Sequence, residues 1–243
     1  MVAGEDLALW QTFFVKFYQA FIEADRWKQY LEGVGTTLLV TAMALAMGVA
    51  LGIIVAIIRT AHDQQRPGNK NFLLGIVDRI CRIYVTVIRG TPMMVQLLIM
   101  GMVIFSSSRN FTMIGAVTLG INSGAYVAEI IRSGIMSVDA GQMEAGRSLG
   151  FGYVATMRHI ILPQAFKAVL PALANEFIVL LKETSVASFV SVADLTYAGN
   201  IIGGNSYDYL FPLLMTAMIY LALVKFFTYL VGKLERRLRN SER

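Results

Sequence analysis

Long uncharged stretches alternate with short polar segments along this chain. Residues 33–58 carry no charged side chain and lie between Glu32 and Arg59. A run of about 20 apolar residues crosses the ~30 Å hydrocarbon core of a bilayer, so this stretch predicts a transmembrane helix. Residues 59–70 are polar and rich in turn formers, which suits an aqueous loop. The segment 71–106 begins amphipathic, with Asp78, Arg79, Arg82 and Arg89, and becomes apolar after Thr91-Pro92. Proline forfeits a backbone hydrogen bond and its ring clashes with the preceding turn, so the pattern predicts a helix broken near Pro92. Three more apolar stretches, at about 111–131, 165–181 and 209–232, complete five expected spans of an all-α integral membrane protein.

An odd number of spans puts the termini on opposite faces. Arg59, Arg66 and Lys70 in the first loop, Arg147, Arg158 and Lys167 between spans three and four, and Lys233, Arg236, Arg237, Arg239 and Arg243 at the C-terminus share one side. On the other side, the segment between spans two and three has only Arg109, and no Lys or Arg lies between Ala187 and Leu210. Positive charge is retained in the cytoplasm, so the expected orientation is N-terminus outside and C-terminus cytoplasmic. Glu5, Asp6, Glu23 and Asp25 interrupt the first 30 residues, so no cleaved secretory signal is expected there. Trp10, Phe13, Phe14, Phe17 and Phe21 recur on one helical stripe, with Lys16 and Glu23 off it. That pattern fits an amphipathic helix lying along the outer headgroups, and equally an extension of the first span packed on its neighbours. The expected organisation is an N-terminal interfacial segment at 1–30, a transmembrane domain at 31–233 and a basic cytoplasmic tail at 234–243.

Composition agrees and removes other classes. Charged residues make up 15% of the 243, 21 Lys and Arg against 16 Asp and Glu, and apolar residues 56%, where a soluble domain is about 25% charged. The mean hydropathy is +0.60. Cys81 is the single cysteine and His62 and His159 the two histidines, which leaves no disulfide framework and no recognisable metal-ligand spacing. Gly232-Lys233 lacks the rest of a Walker-type phosphate loop, so any ATP chemistry belongs to another chain. The net charge of +5 is spent on topology, and a nucleic-acid partner is not expected. Gly48-x-x-x-Gly52 and Gly120-x-x-x-Gly124 permit close helix contact, contact between two copies included.

The polar segment 141–165 between spans three and four identifies a class. Glu144-Ala145-Gly146, then Gly150 after three residues, then Ile160, Leu162 and Pro163 after nine more, follow the spacing E-A-A-x3-G-x9-I-x-L-P. This resembles the cytoplasmic EAA loop of ABC importer permeases, with Gly146 where that family usually has alanine. An acidic, small-residue helix followed by a glycine turn makes a compact knob able to enter a partner's groove. Arg89-Gly90-Thr91-Pro92 with Gln96, Gly124-Ala125-Tyr126 with Ala128, Glu129 and Arg132, and Leu180-Leu181-Lys182-Glu183-Thr184-Ser185 with Ser188 are similar to the polar amino-acid permeases of the histidine, glutamine, arginine and opine group. The resemblance covers roughly Gly33 to Gly232. It implies the five-helix type I ABC importer permease fold with a cytoplasmic coupling helix, in a bacterial inner membrane. It further implies a second permease subunit, identical or a sister chain, cytoplasmic ATPase subunits that bind ATP and Mg, and an extracytoplasmic amino-acid-binding protein. The 30 leading residues are too few for a fused binding domain, so that partner is expected as a separate chain.

Ionisable groups at membrane depth are costly and mark functional candidates. Glu176 lies mid-span with no neighbouring cation along its helix, which suits an acceptor for a substrate ammonium or guanidinium. Asn175 precedes it. Asn122, Tyr126 and Glu129 share a stripe at i, i+4 and i+7, with Arg132 one turn on, so Glu129 is either a substrate contact or the partner of Arg132. Thr184 and Ser185 place hydroxyls where span four is expected to end, as candidate partners for a substrate carboxylate. Arg89, Pro92 and Lys182 are assigned to a gate or to structure. A secondary transporter would show an inverted repeat, which five unequal spans do not. A non-transporting scaffold would carry Glu176 as a needless cost.

Overall fold

The computed structural model describes residues 9–65 and 71–240, with the side chains of residues 9, 10, 239 and 240 outside that description. The readings that rest on Glu5, Asp6, Trp10, Arg66, Lys70, Arg239 and Arg243 lie outside the described residues. Every regular element among the described residues is helical. In chain order these are α1 (Leu9–Phe17), α2 (Arg26–Asp63), α3 (Phe72–Gly90), α4 (Met93–Ile99), α5 (Phe111–Met136), α6 (Ala140–Ser148), α7 (Tyr153–Thr156), α8 (Leu162–Ala187), α9 (Leu195–Ser206) and α10 (Leu210–Asn240). Among the described residues four helical stretches are long and apolar enough to cross a membrane, and a fifth span forms if α3 and the α4 stretch to Ile104 count as one, bent by 108°.

The centre of the bundle is the pairing of α2 with α5, and glycine sets its closeness. A Cβ added at Gly48 or Gly52 would lie 2.8 Å from Ser123 Oγ or 2.5 Å from Val127 Cγ1 on α5. Reciprocally, one added at Gly120 or Gly124 would lie 2.9 Å from Met47 Cβ or Leu51 Cδ2 on α2. The two small-residue motifs therefore face each other inside one chain, because apolar helices in lipid associate by close backbone packing more than by hydrophobic burial. Val40, Ala44, Leu97, Ala116, Leu119 and Leu180 are fully buried beside this seam.

The expected break at Pro92 is present, and a side chain repairs it. Thr91 and Pro92 adopt extended backbone between α3 and α4. Continuing the helix would require the residue 92 amide to donate to Ile88 O, and proline has no such proton. Gln96 Nε2 donates to Ile88 O at 2.8 Å and to Thr91 Oγ1 at 2.8 Å. Its Oε1 accepts from Asn122 Nδ2 on α5 at 2.9 Å. Gln96→Leu strands these partners and is expected to cost about 1–3 kcal/mol, read as lower thermal stability of the solubilised chain; Gln96→Glu keeps an acceptor for Asn122 but has no donor for Ile88 O, so it too should lower that stability.

Several elements run past their expected limits. The helix around span one covers Arg26–Asp63 and that of span four Leu162–Ala187. Helix α10 passes residue 234 without interruption and runs to Asn240, so the last span and the described part of the tail are one helix. Before α2 the chain kinks at Ala24 and Asp25, both at positive φ, and α1 turns back onto α10. There Phe13 meets Phe211 with ring centroids 5.3 Å apart, and Lys16 Nζ pairs with Asp208 at 2.9 Å.

Between α8 and α10, the glycine-containing segment Leu195–Ser206 forms helix α9. Its N-cap Asp194 is fully buried, accepting from Tyr197 N–H at 2.8 Å and from the Tyr220 hydroxyl at 3.0 Å. Gly33 lets α2 approach, since a Cβ there would lie 2.8 Å from Leu195 Cα. Burial outweighs these hydrogen bonds and pushes the Asp194 carboxyl from 3.8 up to about 6. Between those values the folded chain keeps a proton that the unfolded chain has released, so stability falls as pH rises through this window. Thermal unfolding at pH 4 and pH 7 should show that decline, and Asp194→Asn should lose this group's share of it.

Candidate functional site

A cavity of about 470 Å³ opens along the seam between α5 and α8. Tyr126, Glu129 and Ser133 line it from α5, Ala168 and Ala172 from α8, and Arg89 from the end of α3. Arg89 lies over the Tyr126 ring, 5.1 Å from its centroid. A second cavity of about 350 Å³ is lined by Arg59, Arg82, Arg89 and Glu129, so Arg89 and Glu129 stand between the two. The structure thus brings two of the substrate candidates, Tyr126 and Glu129, together with Arg89.

Glu129 is already shared by two guanidinium groups. Arg132 Nη2 reaches its Oε2 at 2.9 Å, and Arg59 Nη1 from the end of α2 holds its Oε1. Arg132 could be read from its spacing of three residues on one helix. Arg59, 70 positions away, could be found only once α2 and α5 were paired.

Glu176 is buried, and its Oε1 accepts from Ser123 Oγ at 2.7 Å. Ser123 is three residues before Tyr126, and Glu176 is four after Ala172. The pair therefore occupies the next helical turn of the same seam, beyond the cavity. The other candidates lie elsewhere. Asn175 is exposed and faces α10, 3.5 Å from Glu235 Oε1. Asn122 is engaged by Gln96. Thr184 and Ser185 sit inside α8, because the helix continues to Ala187, and their hydroxyls donate to the carbonyls of Leu181 and Lys182. Lys182 is exposed, and Pro92 marks the break.

The 141–165 segment is a helical knob at one end of the bundle. Asp139 Oδ1 accepts from Gly141 N–H at 2.7 Å and caps α6. After Ser148 the chain reverses at Gly150, which has φ of +87°. The Gly150 amide donates to Arg147 O at 3.0 Å and the Phe151 amide to Gly146 O at 3.1 Å, closing the helix end with the left-handed turn that glycine favours. Gly146 is buried, and a Cβ there would lie 2.6 Å from Thr156 Cγ2 and 3.0 Å from Ile160 Cδ1. Contact with α7 accounts for glycine where the spacing pattern has alanine. Glu144 and Ala145 are exposed. Leu149 and Val154 at the tip keep 78% and 75% of their surface open, an apolar end that no described residue covers. Leu162 and Pro163 lie where the helical stretch Met157–Ile161 passes into α8.

Comparison with known proteins agrees with this architecture. Over 229 residues the chain is 33% identical to the putative glutamine transport system permease protein GlnP of Rickettsia typhi, covering 93% of this chain and 97% of that one. It is 36% identical over 187 residues to the arginine transport system permease protein ArtQ of Bacillus subtilis, covering 70% and 84%. A solved structure described as an amino acid ABC transporter with histidines superposes with a TM-score of 0.79 at 36% identity, over 98% of this chain and 100% of that one. The MetNI methionine ABC transporter shares the fold, with a TM-score of 0.75 at 18% identity over 89% of this chain. Residues 68–240, which span the broken helix, the seam and the knob, match the model of the binding-protein-dependent transport system inner membrane component, and this chain belongs to that family.

Proposed function

We propose that this chain is the translocation subunit of an ATP-driven importer of polar amino acids. The observation that carries the reading is the apolar-tipped knob from Glu144 to Pro163, set on the end of α8, whose inner seam with α5 holds the cavity. A rigid coupling element then leads from the knob to the candidate substrate path. In this reading the knob is the coupling helix and docks on a cytoplasmic ATPase, which binds ATP and Mg, while this chain hydrolyses nothing. A second permease subunit, a copy or a sister chain, completes the path, and an extracytoplasmic binding protein delivers substrate. The excess of Lys and Arg at the knob and at the end of α10 supports a cytoplasmic C-terminus and an outer N-terminus.

An amino acid presents an ammonium and a carboxylate, and the seam offers partners for both. Arg89 has no carboxylate within ion-pair distance among the described residues and engages Tyr126 alone, which leaves it available for a substrate carboxylate. Glu176, with no cation beside it, serves the ammonium or a cationic side chain. Glu129, held by Arg59 and Arg132, closes the inner end. Relatives described as glutamine and arginine permeases support the substrate class. Uptake of radiolabelled amino acids by vesicles of the assembled complex is expected to require trapped ATP. Uptake driven by an ion gradient without ATP would support a secondary transporter, and no flux under either condition would support a scaffold.

A further inference from the structure

Helix α10 has a second charged feature that neither the seam nor the knob uses. Lys225, Tyr229, Gly232 and Arg236 follow each other at i, i+4, i+7 and i+11, with Lys233 beside them, and line a surface cavity of about 470 Å³. The opposite stripe of α10 holds the bundle: Tyr220 bonds Asp194, and Phe227 packs on Phe177 with centroids 4.8 Å apart. On the basic side nothing lies within 4 Å of a Cβ built at Gly232, so the glycine leaves an open notch between the cations. Toward the N-terminus the same stripe continues as Leu214, Met218 and Leu221, all exposed apolar side chains.

Depth explains the change of character. About 20 residues from Leu210 span the hydrocarbon core, which brings Tyr229 to the interface and Lys233 and Arg236 into the headgroup layer. Lys225, a little deeper, reaches the same layer by extending its stem. Among the described residues none of the three cations has a carboxylate within ion-pair distance, and the nearest acid along the helix, Glu235, lies off the stripe near Asn175. An apolar track ending in three unpaired cations around a notch matches an acyl chain continued by a phosphate.

We infer that this face of α10 binds one anionic phospholipid, its headgroup phosphate held by Lys225, Lys233 and Arg236 over the Gly232 notch and its acyl chain lying on Leu214, Met218 and Leu221. A basic membrane-proximal cation contributes about fivefold to anionic-lipid affinity, so removing three should weaken it on the order of a hundredfold.

The test uses the purified transporter complex, delipidated and returned to mixed micelles of phosphatidylcholine and phosphatidylglycerol, with retained lipid counted by native mass spectrometry. Wild type should retain phosphatidylglycerol in preference to phosphatidylcholine. Lys225→Gln, Lys233→Gln and Arg236→Gln should each weaken retention about fivefold, and together abolish the preference. Gly232→Leu keeps every charge and places its Cβ in open space, so it should leave thermal unfolding in detergent intact while reducing retention by filling the notch. Equal retention of both lipids by wild type, or unchanged retention in Gly232→Leu and in the triple variant, overturns the proposal. So does a disulfide between two copies carrying Tyr229→Cys in the assembled complex, which would place a second permease on this face.

Discussion

Glu176→Gln is expected to reduce amino-acid uptake on the order of 100-fold while the complex assembles and unfolds thermally much as the wild type does. The side chain is buried on α8 with Ser123 Oγ at 2.7 Å from its Oε1. Glutamine keeps the shape and can still accept that hydrogen bond, so the substitution removes the charge and little else. A hydrogen bond to a charged group contributes about 1.5–3 kcal/mol, and one made to a substrate ammonium would be lost with it. Ser123→Ala provides the contrast, because it frees the carboxylate without removing it and should reduce uptake much less. If Glu176→Gln transports at the wild-type rate, the carboxylate is a packing partner of Ser123 and the substrate assignment fails.

Gly150→Val is expected to detach or uncouple the ATPase, so that uptake disappears while the membrane bundle stays folded. The φ of +87° at Gly150 is open to glycine and expensive for a β-branched residue, since the left-handed region costs an ordinary side chain about 1–2 kcal/mol and a branched one more. The turn carries the exposed Leu149 and Phe151, so its loss disperses the exposed tip. Gly150 meets nothing within 4 Å of a Cβ, hence the effect arises from backbone conformation and not from a clash. Gly146→Leu offers an independent route to the same result by forcing α6 away from Thr156 and Ile160. Pull-down of the ATPase together with vesicle uptake reads both variants, and survival of both activities in Gly150→Val removes the coupling role from this loop.

Much of the architecture was legible because its causes are local. The membrane spans follow from charge-free length, the break from one proline, and the knob from fixed spacing of small residues around a turn glycine. Arg132 was likewise legible beside Glu129, being one helical turn away. Other features depend on which helices meet. Arg59 completes the Glu129 ion cluster only because α2 lies on α5, and the same pairing turns two glycine motifs toward each other within one chain. Gln96 was visible as part of the motif that begins at Arg89, but its task of supplying the donor that Pro92 lacks required the bent geometry of α3 and α4. Helix α9 escaped a reading by composition because its glycines and asparagine resemble a loop; Asp194, buried against Tyr220, caps and stabilises it from outside the segment.

The amino-acid sequence by itself therefore determined the solvent, the approximate spans, the position of the broken helix and the Glu144-to-Pro163 spacing motif, since each depends on residues close together along the chain. Tertiary structure decided which intramembrane charges are neutralised and which are left open. Among the described residues Glu129 is held by two arginines, Glu176 bonds Ser123, and Arg89 rests on an aromatic ring beside a cavity. The physical reason is that the cost of a charge in a membrane is set by its neighbours in space, and those neighbours come from helices tens of residues apart.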